Sequence, residues 1–348
     1  MIELGISTFG ETTEIEGTGI TPAHDERIRD MIEEMKLADE VGLDLYAIGE
    51  HHREDFSVSA PEILLAAGAA VTKNIKLSSA VTVLSSSDPV RVYQQYATID
   101  AISKGRAEVM VGRGSFTESF PLFGYDLGDY EELFDEKLAM LEKIKDNEML
   151  TWEGKYTQKV ENKGVYPRSV QEDFPIWVAT GGNTESTIKI AQKGLPIAYA
   201  IIGGQYKAFK GLIDYYRAIG RNAGHSNDRL KVASHSWGFV ADTDEEAIKK
   251  YFHPTKQVVD AISKVRPFWR PLTFEQYLNS VGPDGSMLVG SPETVANKLI
   301  DMIETLGLDR FMLHLPLGSM PHEDIMKAIK LFGEEVAPRV REHFKNKK

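Results

Sequence analysis

The chain has 348 residues, 42% of them hydrophobic and 26% charged, enough for two ordinary domains or one large α/β barrel. Its 52 acidic against 40 basic side chains give a formal net charge of -12, which argues against a nucleic-acid partner, because phosphate contacts need a surplus of Lys and Arg on one face. With no cysteine, disulfides, thiolate nucleophiles and thiolate metal ligands are all excluded. The opening "MIELGISTFGETTEIEG" is not a signal peptide, and no stretch reaches the roughly 18 apolar residues of a membrane span, so a soluble cytoplasmic protein is expected.

Strand and helix signals alternate along the whole chain. "IELGIST" is a first strand, followed by a helix over "DERIRDMIEEMKLADEVG" and a second strand, "LDLYAIGE". A helix over "APEILLAAGAAVTK" leads to the β-branched third strand "IKLSSAVTVL". Asp88 and Pro89 then open another helix, Pro being suited to a first turn. "RAEVMVG" is the fourth strand, and "YEELFDEKLAMLEKIKD" an amphipathic helix. After a hairpin or loop at "TWEGKY" come strands "PIWVAT", "PIAYAII" and "LKVASHSWGFVA", each followed by a helical pattern. A Pro- and Trp-bearing insertion, Val265 to Gly285, interrupts the alternation. Ser291 and Pro292 then cap a helix, "LDRFMLHLP" is the eighth strand, and a final helix closes the chain. Eight short apolar strands alternating with helices predict parallel pairing and a closed (β/α)8 TIM barrel with loop insertions, read as one domain over residues 1–348.

In such a barrel, chemistry sits at the carboxyl ends of the strands, and three of those ends carry suitable residues. Strand two ends in Glu50-His51-His52. Adjacent strand residues point to opposite faces, so the two histidines do not easily share a metal ion. The other readings are a hydrogen-bonded polar strand end, or a histidine that moves a proton near neutral pH. Strand five ends in Gly181-Gly182-Asn183 just before a helix. The free N–H groups there, with hydroxyls from Thr184, Ser186 and Thr187, suit a phosphate, although an ordinary βα turn uses the same residue types. Strand four ends in Gly112-Arg113-Gly114-Ser115. Arg113 is placed to meet an anion, or else an acidic loop. Strands four and five are neighbours in a barrel, so Arg113 and the Gly-Gly turn can serve one phosphate.

The set "GEHHRED", "AVTVLSSSDPVRVYQQYATIDAISKGRAEVMVGRGSF", "GGNTESTIKIAQKGLP" and "LFGEEVAPRVRE" resembles the bacterial luciferase-like flavin monooxygenases, in order and over nearly the whole chain. The resemblance implies a (β/α)8 barrel that takes FMN, in reduced form as a cosubstrate from a separate NAD(P)H-dependent reductase. Reaction with O2 gives a peroxyflavin, which oxidises a small organic compound. It further implies that Arg113 holds the FMN phosphate with Gly181, Gly182, Asn183 and Ser186, and that Ala80 and Val81 lie against the isoalloxazine, where the family often has a non-proline cis peptide. His51 would match the catalytic base, with His52 beside it, and a homodimer is expected.

Where light-emitting members carry a cysteine before the strand-four arginine this chain has Gly112, and Gly182 replaces their carboxylate in the phosphate turn, so a non-luminescent member is expected. Phe268, Trp269 and Arg270 in the insertion form a candidate lid, a packing loop or a subunit contact. Three alternatives remain open: a deazaflavin-dependent hydride transferase on the same barrel, a non-catalytic flavin-binding protein, and a metal-dependent hydrolase built on Glu50, His51 and His52.

Overall fold

The computed structural model describes residues 2–114, 116–266 and 269–346. Ser115, Phe268, Lys347 and Lys348 therefore lie outside the described residues. Eight strands carry the architecture: β1 Glu3–Thr8, β2 Leu45–Ile48, β3 Lys76–Ser79, β4 Ala107–Gly112, β5 Ile176–Thr180, β6 Ile197–Ala200, β7 Val232–Val240 and β8 Arg310–His314. Every neighbouring pair is parallel, and β8 pairs with both β7 and β1, so the sheet closes on itself.

The main helices, in chain order, are α1 His24–Glu40, α2 Pro61–Val71, α3 Pro89–Ser103, α4 Tyr130–Asp146, α5 Thr184–Lys193, α6 Lys210–Asn222, α7 Asp244–Val265, α8 Phe274–Val281, α9 Pro292–Leu306 and α10 His322–Leu331, with a further short helix at Ser119–Phe123 and a last one at Ala337–Lys345. The two expected N-caps form: the Asp88 side chain accepts from the Arg91 amide and the Ser291 side chain from the Thr294 amide, each ahead of a proline in the first turn.

The expected third strand is broken. It runs to Ser79, turns through Ala80 and Val81, and resumes only as Thr82–Val83, which pairs with β4 at Val111 and Gly112. The Ala80–Val81 peptide is cis. Two glycines make room for this turn. A Cβ on Gly49 would lie 2.7 Å from the Ala80 carbonyl oxygen, and one on Gly112 would lie 2.9 Å from a Val81 methyl. The hairpin after α4 is real, with Met149–Trp152 antiparallel to Val160–Gly164.

Apolar side chains separate into two clusters. The larger fills the space between strands and helices. The smaller, Leu45, Ala47, Met110, Trp177, Ala198, Ala233 and Met312, lies inside the barrel, with Ala80, Val81 and Ala179 packed against it. Many of these interior residues are alanines, and small residues at the carboxyl end leave a hollow above the two methionines. Below them, the amino ends of the strands are closed by charge. Arg310 reaches Glu108 with a fork of two hydrogen bonds at 2.7 and 3.0 Å, its Nε donates to Glu3 at 2.7 Å, and Lys76 donates to Glu3 at 2.6 Å.

Candidate active site

The hollow is a cavity of about 440 Å³, within the range of small-molecule sites. Phe9, Glu50, His51, Ala80, Val81, Met110, Arg113, Gly181, His235, Trp269 and Met312 are among its lining residues. Strands from all around the barrel thus meet at one place, as the fold requires.

The two adjacent histidines part company. His51 lines the cavity, its ring stacked on Phe56 at 4.3 Å and edge-on to Phe9 at 4.8 Å. Its Nδ1 lies 3.5 Å from a Glu118 oxygen that also accepts the His52 amide at 3.4 Å. Burial alone would raise the Glu118 carboxyl, but the hydrogen bonds to His51 and to backbone amides together hold it below its ordinary value. His52 is not among the cavity-lining residues. Its Nε2 lies 2.7 Å from Glu50 Oε1, while Glu50 Oε2 accepts the Val83 amide at 2.8 Å. His52 and Glu50 therefore brace the segment just beyond the broken strand. Among the described residues, no three His, Asp or Glu side chains gather as a metal shell.

Arg113 stands at the edge of the cavity and reaches across to strand five. Its Nη2 donates to Ser186 Oγ at 2.7 Å, and its Nη1 donates to the carboxylate of Glu131. Asn183 caps α5, its side chain accepting the Ser186 amide at 2.9 Å, so Asn183 shapes the turn with its side chain committed. Gly182 has φ +102°, a conformation that side chains resist, and a Cβ on Gly181 would meet nothing within 4 Å. Space is therefore open in front of Gly181, whereas Gly182 packs against Phe209, whose ring a Cβ there would meet at 3.0 Å. Of the predicted residues, His51, Ala80, Val81, Arg113 and Gly181 line this cavity, and Ser186 lines a second one of about 330 Å³ that also touches Arg113.

Sequence reasoning missed Glu118, Glu131 and Phe9, which no short motif marks, and did not single out Met110 or Met312. From the insertion, Arg266 and Trp269 line the cavity, and Trp269 packs against Trp237 at 6.0 Å. Behind Phe9, at the carboxyl end of β8, His314 donates from Nε2 to Glu11 at 2.8 Å and lies 3.3 Å from Ser7 Oγ through Nδ1. His235 packs edge-on against it at 4.8 Å, and its Nε2 is covered from solvent without a partner. Burial, with a smaller contribution from His314, pushes the His235 imidazole well below its ordinary value.

His235 should therefore stay neutral when folded, while in the unfolded chain it takes a proton near pH 6.5. The unfolded state binds the extra proton below that pH, so this contribution to stability is present above 6.5 and declines as pH falls, by up to about 1.4 kcal/mol per unit. Denaturation between pH 7 and 5 should show a shallower loss in His235→Asn than in the parent. Equal slopes would contradict the neutral assignment.

The family model described as luciferase-like monooxygenase matches residues 2–310. N-acetyl-S-alkylcysteine monooxygenase of Bacillus subtilis (strain 168) is 27% identical over 86% of this chain and 90% of its own length. The oxygenating constituent of 3,6-diketocamphane monooxygenase of Pseudomonas putida, solved with FMN, superposes with a TM-score of 0.76 at 22% identity over 97% and 98% of the two chains. An F420-dependent secondary alcohol dehydrogenase superposes with a TM-score of 0.75 at 18% identity over 98% and 99%. At these identities the superpositions establish the barrel and nothing finer.

Proposed function

Since the chain belongs to the luciferase-like monooxygenase family and is a flavin-dependent oxidoreductase, we propose that it is a non-luminescent FMN-dependent monooxygenase acting on a small organic compound. One observation carries the cofactor reading: Arg113, just beyond β4, meets Ser186 on the first turn of α5 beside a corner that is open at Gly181, next to a cavity walled by Ala80 and Val81. A phosphate fits the Arg113 guanidinium and the positive end of α5. A flat ring fits the wall, because neither alanine nor valine projects far into the space. Reduced FMN, once bound, supplies the electrons with which one oxygen atom of O2 enters the substrate and the other leaves as water.

The chain's own residues set the conditions for that chemistry. Phe9, Met110, Met312 and Trp269 make most of the remaining wall apolar and limit water. His51, with Nδ1 turned toward Glu118, keeps Nε2 for a proton, the arrangement of a base oriented by a third group. His52 is a positioning residue through Glu50. The flavin is taken to arrive reduced from a separate reductase.

Titration with FMN should quench flavin fluorescence and raise the melting temperature. Photoreduced FMN should drive oxygen uptake with at least one member of a panel of ketones, aldehydes, thioethers and sulfonates. Arg113→Ala should weaken FMN by roughly 1.5–3 kcal/mol, about 10- to 150-fold, and leave riboflavin nearly unaffected. An equal loss for both ligands would remove Arg113 from the phosphate site. Preference for a deazaflavin with no oxygen consumed would replace the monooxygenase reading with hydride transfer.

A further inference from the structure

Arg113 has two side-chain hydrogen-bond partners of opposite kind. Ser186 is neutral and belongs to the turn that receives the phosphate. Glu131 is an anion from a different element, the second residue of α4. That first turn of α4 is anchored beside the site. Tyr130 donates its hydroxyl hydrogen to the Gly114 carbonyl at 2.9 Å, and the Arg113 guanidinium lies 5.5 Å from the centre of its ring. Glu131 itself is 57% exposed, whereas Arg113 is only 17% exposed. The carboxylate can therefore swing into water at little cost, but the guanidinium stays where it is.

We propose that Glu131 is a built-in rival of the flavin phosphate, occupying Arg113 in the free protein and giving it up when the cofactor enters. This rests on the FMN reading above. Glu131 takes up one of the Nη1 donors and, more importantly, neutralises the charge that a phosphate would otherwise meet at Arg113. A phosphate beside Ser186 would also bring a second negative group close to Glu131, and like charges at that distance repel. Binding thus includes breaking the Arg113–Glu131 pair, a cost that a ligand without phosphate does not meet. The consequence is a flavin held firmly enough to react and loosely enough to leave, which is what a cosubstrate supplied by another protein requires.

The test is a fluorescence titration of the full chain with oxidised FMN and with riboflavin, in low salt, for the parent, Glu131→Gln and Glu131→Ala. Both variants should bind FMN more tightly, by roughly three- to tenfold given the modest worth of a part-exposed ion pair, with riboflavin unchanged. In 0.5 M salt the gain should shrink, because screening weakens both the pair and the repulsion. Unchanged or weaker FMN binding in both variants would overturn the proposal and make Glu131 a neutral neighbour or a supporting contact. A parent protein that binds FMN no better than riboflavin would instead show that the phosphate reading has failed, and the rivalry with it. Because Glu131 is a surface residue at a helix start, neither substitution threatens the fold.

Discussion

Replacing His51 with asparagine is expected to slow turnover by roughly 10²- to 10⁴-fold, the usual share of a positioned acid or base, while FMN affinity stays within about twofold. Asparagine nearly matches the size of the imidazole and keeps a hydrogen-bonding group toward Glu118, but it cannot take a proton. His51 is the residue for this role because it alone of the Glu50-His51-His52 run both lines the cavity and faces an orienting carboxylate outside the run. Its Nδ1 distance to Glu118, 3.5 Å, is long, as catalytic contacts often are before a ligand closes the site. The measurement is oxygen uptake with any panel compound that supports it, together with the reoxidation rate of bound reduced FMN after rapid mixing with O2. Glu118→Gln should show a smaller effect in the same direction. His52→Asn should instead act through Glu50 and the Val83 amide, disturbing flavin affinity as well as rate. A His51→Asn protein that turns over like the parent would assign the proton step elsewhere.

The contrast between these two histidines shows where sequence reading stops. The eight strands, the two proline-led helix starts and the meeting of Arg113 with the strand-five turn were legible, because hydrophobic period and capping chemistry are local and strands four and five are neighbours in any such barrel. The strand itself ends at Ile48, so Glu50, His51 and His52 lie beyond it and the alternation of strand faces expected for them does not apply. Which histidine faces the cavity was not legible. It depends on Glu50 being drawn to the Val83 amide, and that amide is available only because β3 breaks at Ala80. Glu118 and Glu131 were invisible for a related reason. They sit in a loop and on an exposed helix turn, and only tertiary folding brings them to His51 and Arg113. The short strand Leu288–Gly290 beside β7 went unassigned, since three residues carry no period. The turn of π-helix at Phe332–Val336 left no mark within a helical pattern read as continuous.

Removing Arg310 should produce the largest loss of stability, roughly 3–5 kcal/mol, because it takes the guanidinium fork from the buried Glu108 carboxylate at the closed end of the barrel. Glu108 is almost wholly buried, and without the guanidinium fork its nearest remaining cation is Lys76 at 3.3 Å. The four charges, Arg310 and Lys76 against Glu3 and Glu108, balance as they stand, and Arg310 also lies over the Trp177 ring at 4.3 Å. Burial works to raise the Glu3 carboxyl, but Arg310 and Lys76 outweigh it and bring it down to about 2. The unfolded chain binds that proton near pH 4.5, so this stabilisation is complete above 4.5 and disappears as pH falls toward 2. Urea unfolding of Arg310→Met at pH 7 should show the full cost, and its stability should fall less steeply below pH 4.5 than the parent's. The paired change Arg310→Met with Glu108→Leu should recover much of the loss, since a buried ion pair is far more costly to break than to replace with apolar side chains. A single substitution costing under about 1 kcal/mol, or a double no more stable than the single, would mean that water reaches this layer and screens it. The site at the opposite end would be little affected in either case, because the methionine and alanine layer of the barrel interior separates the two.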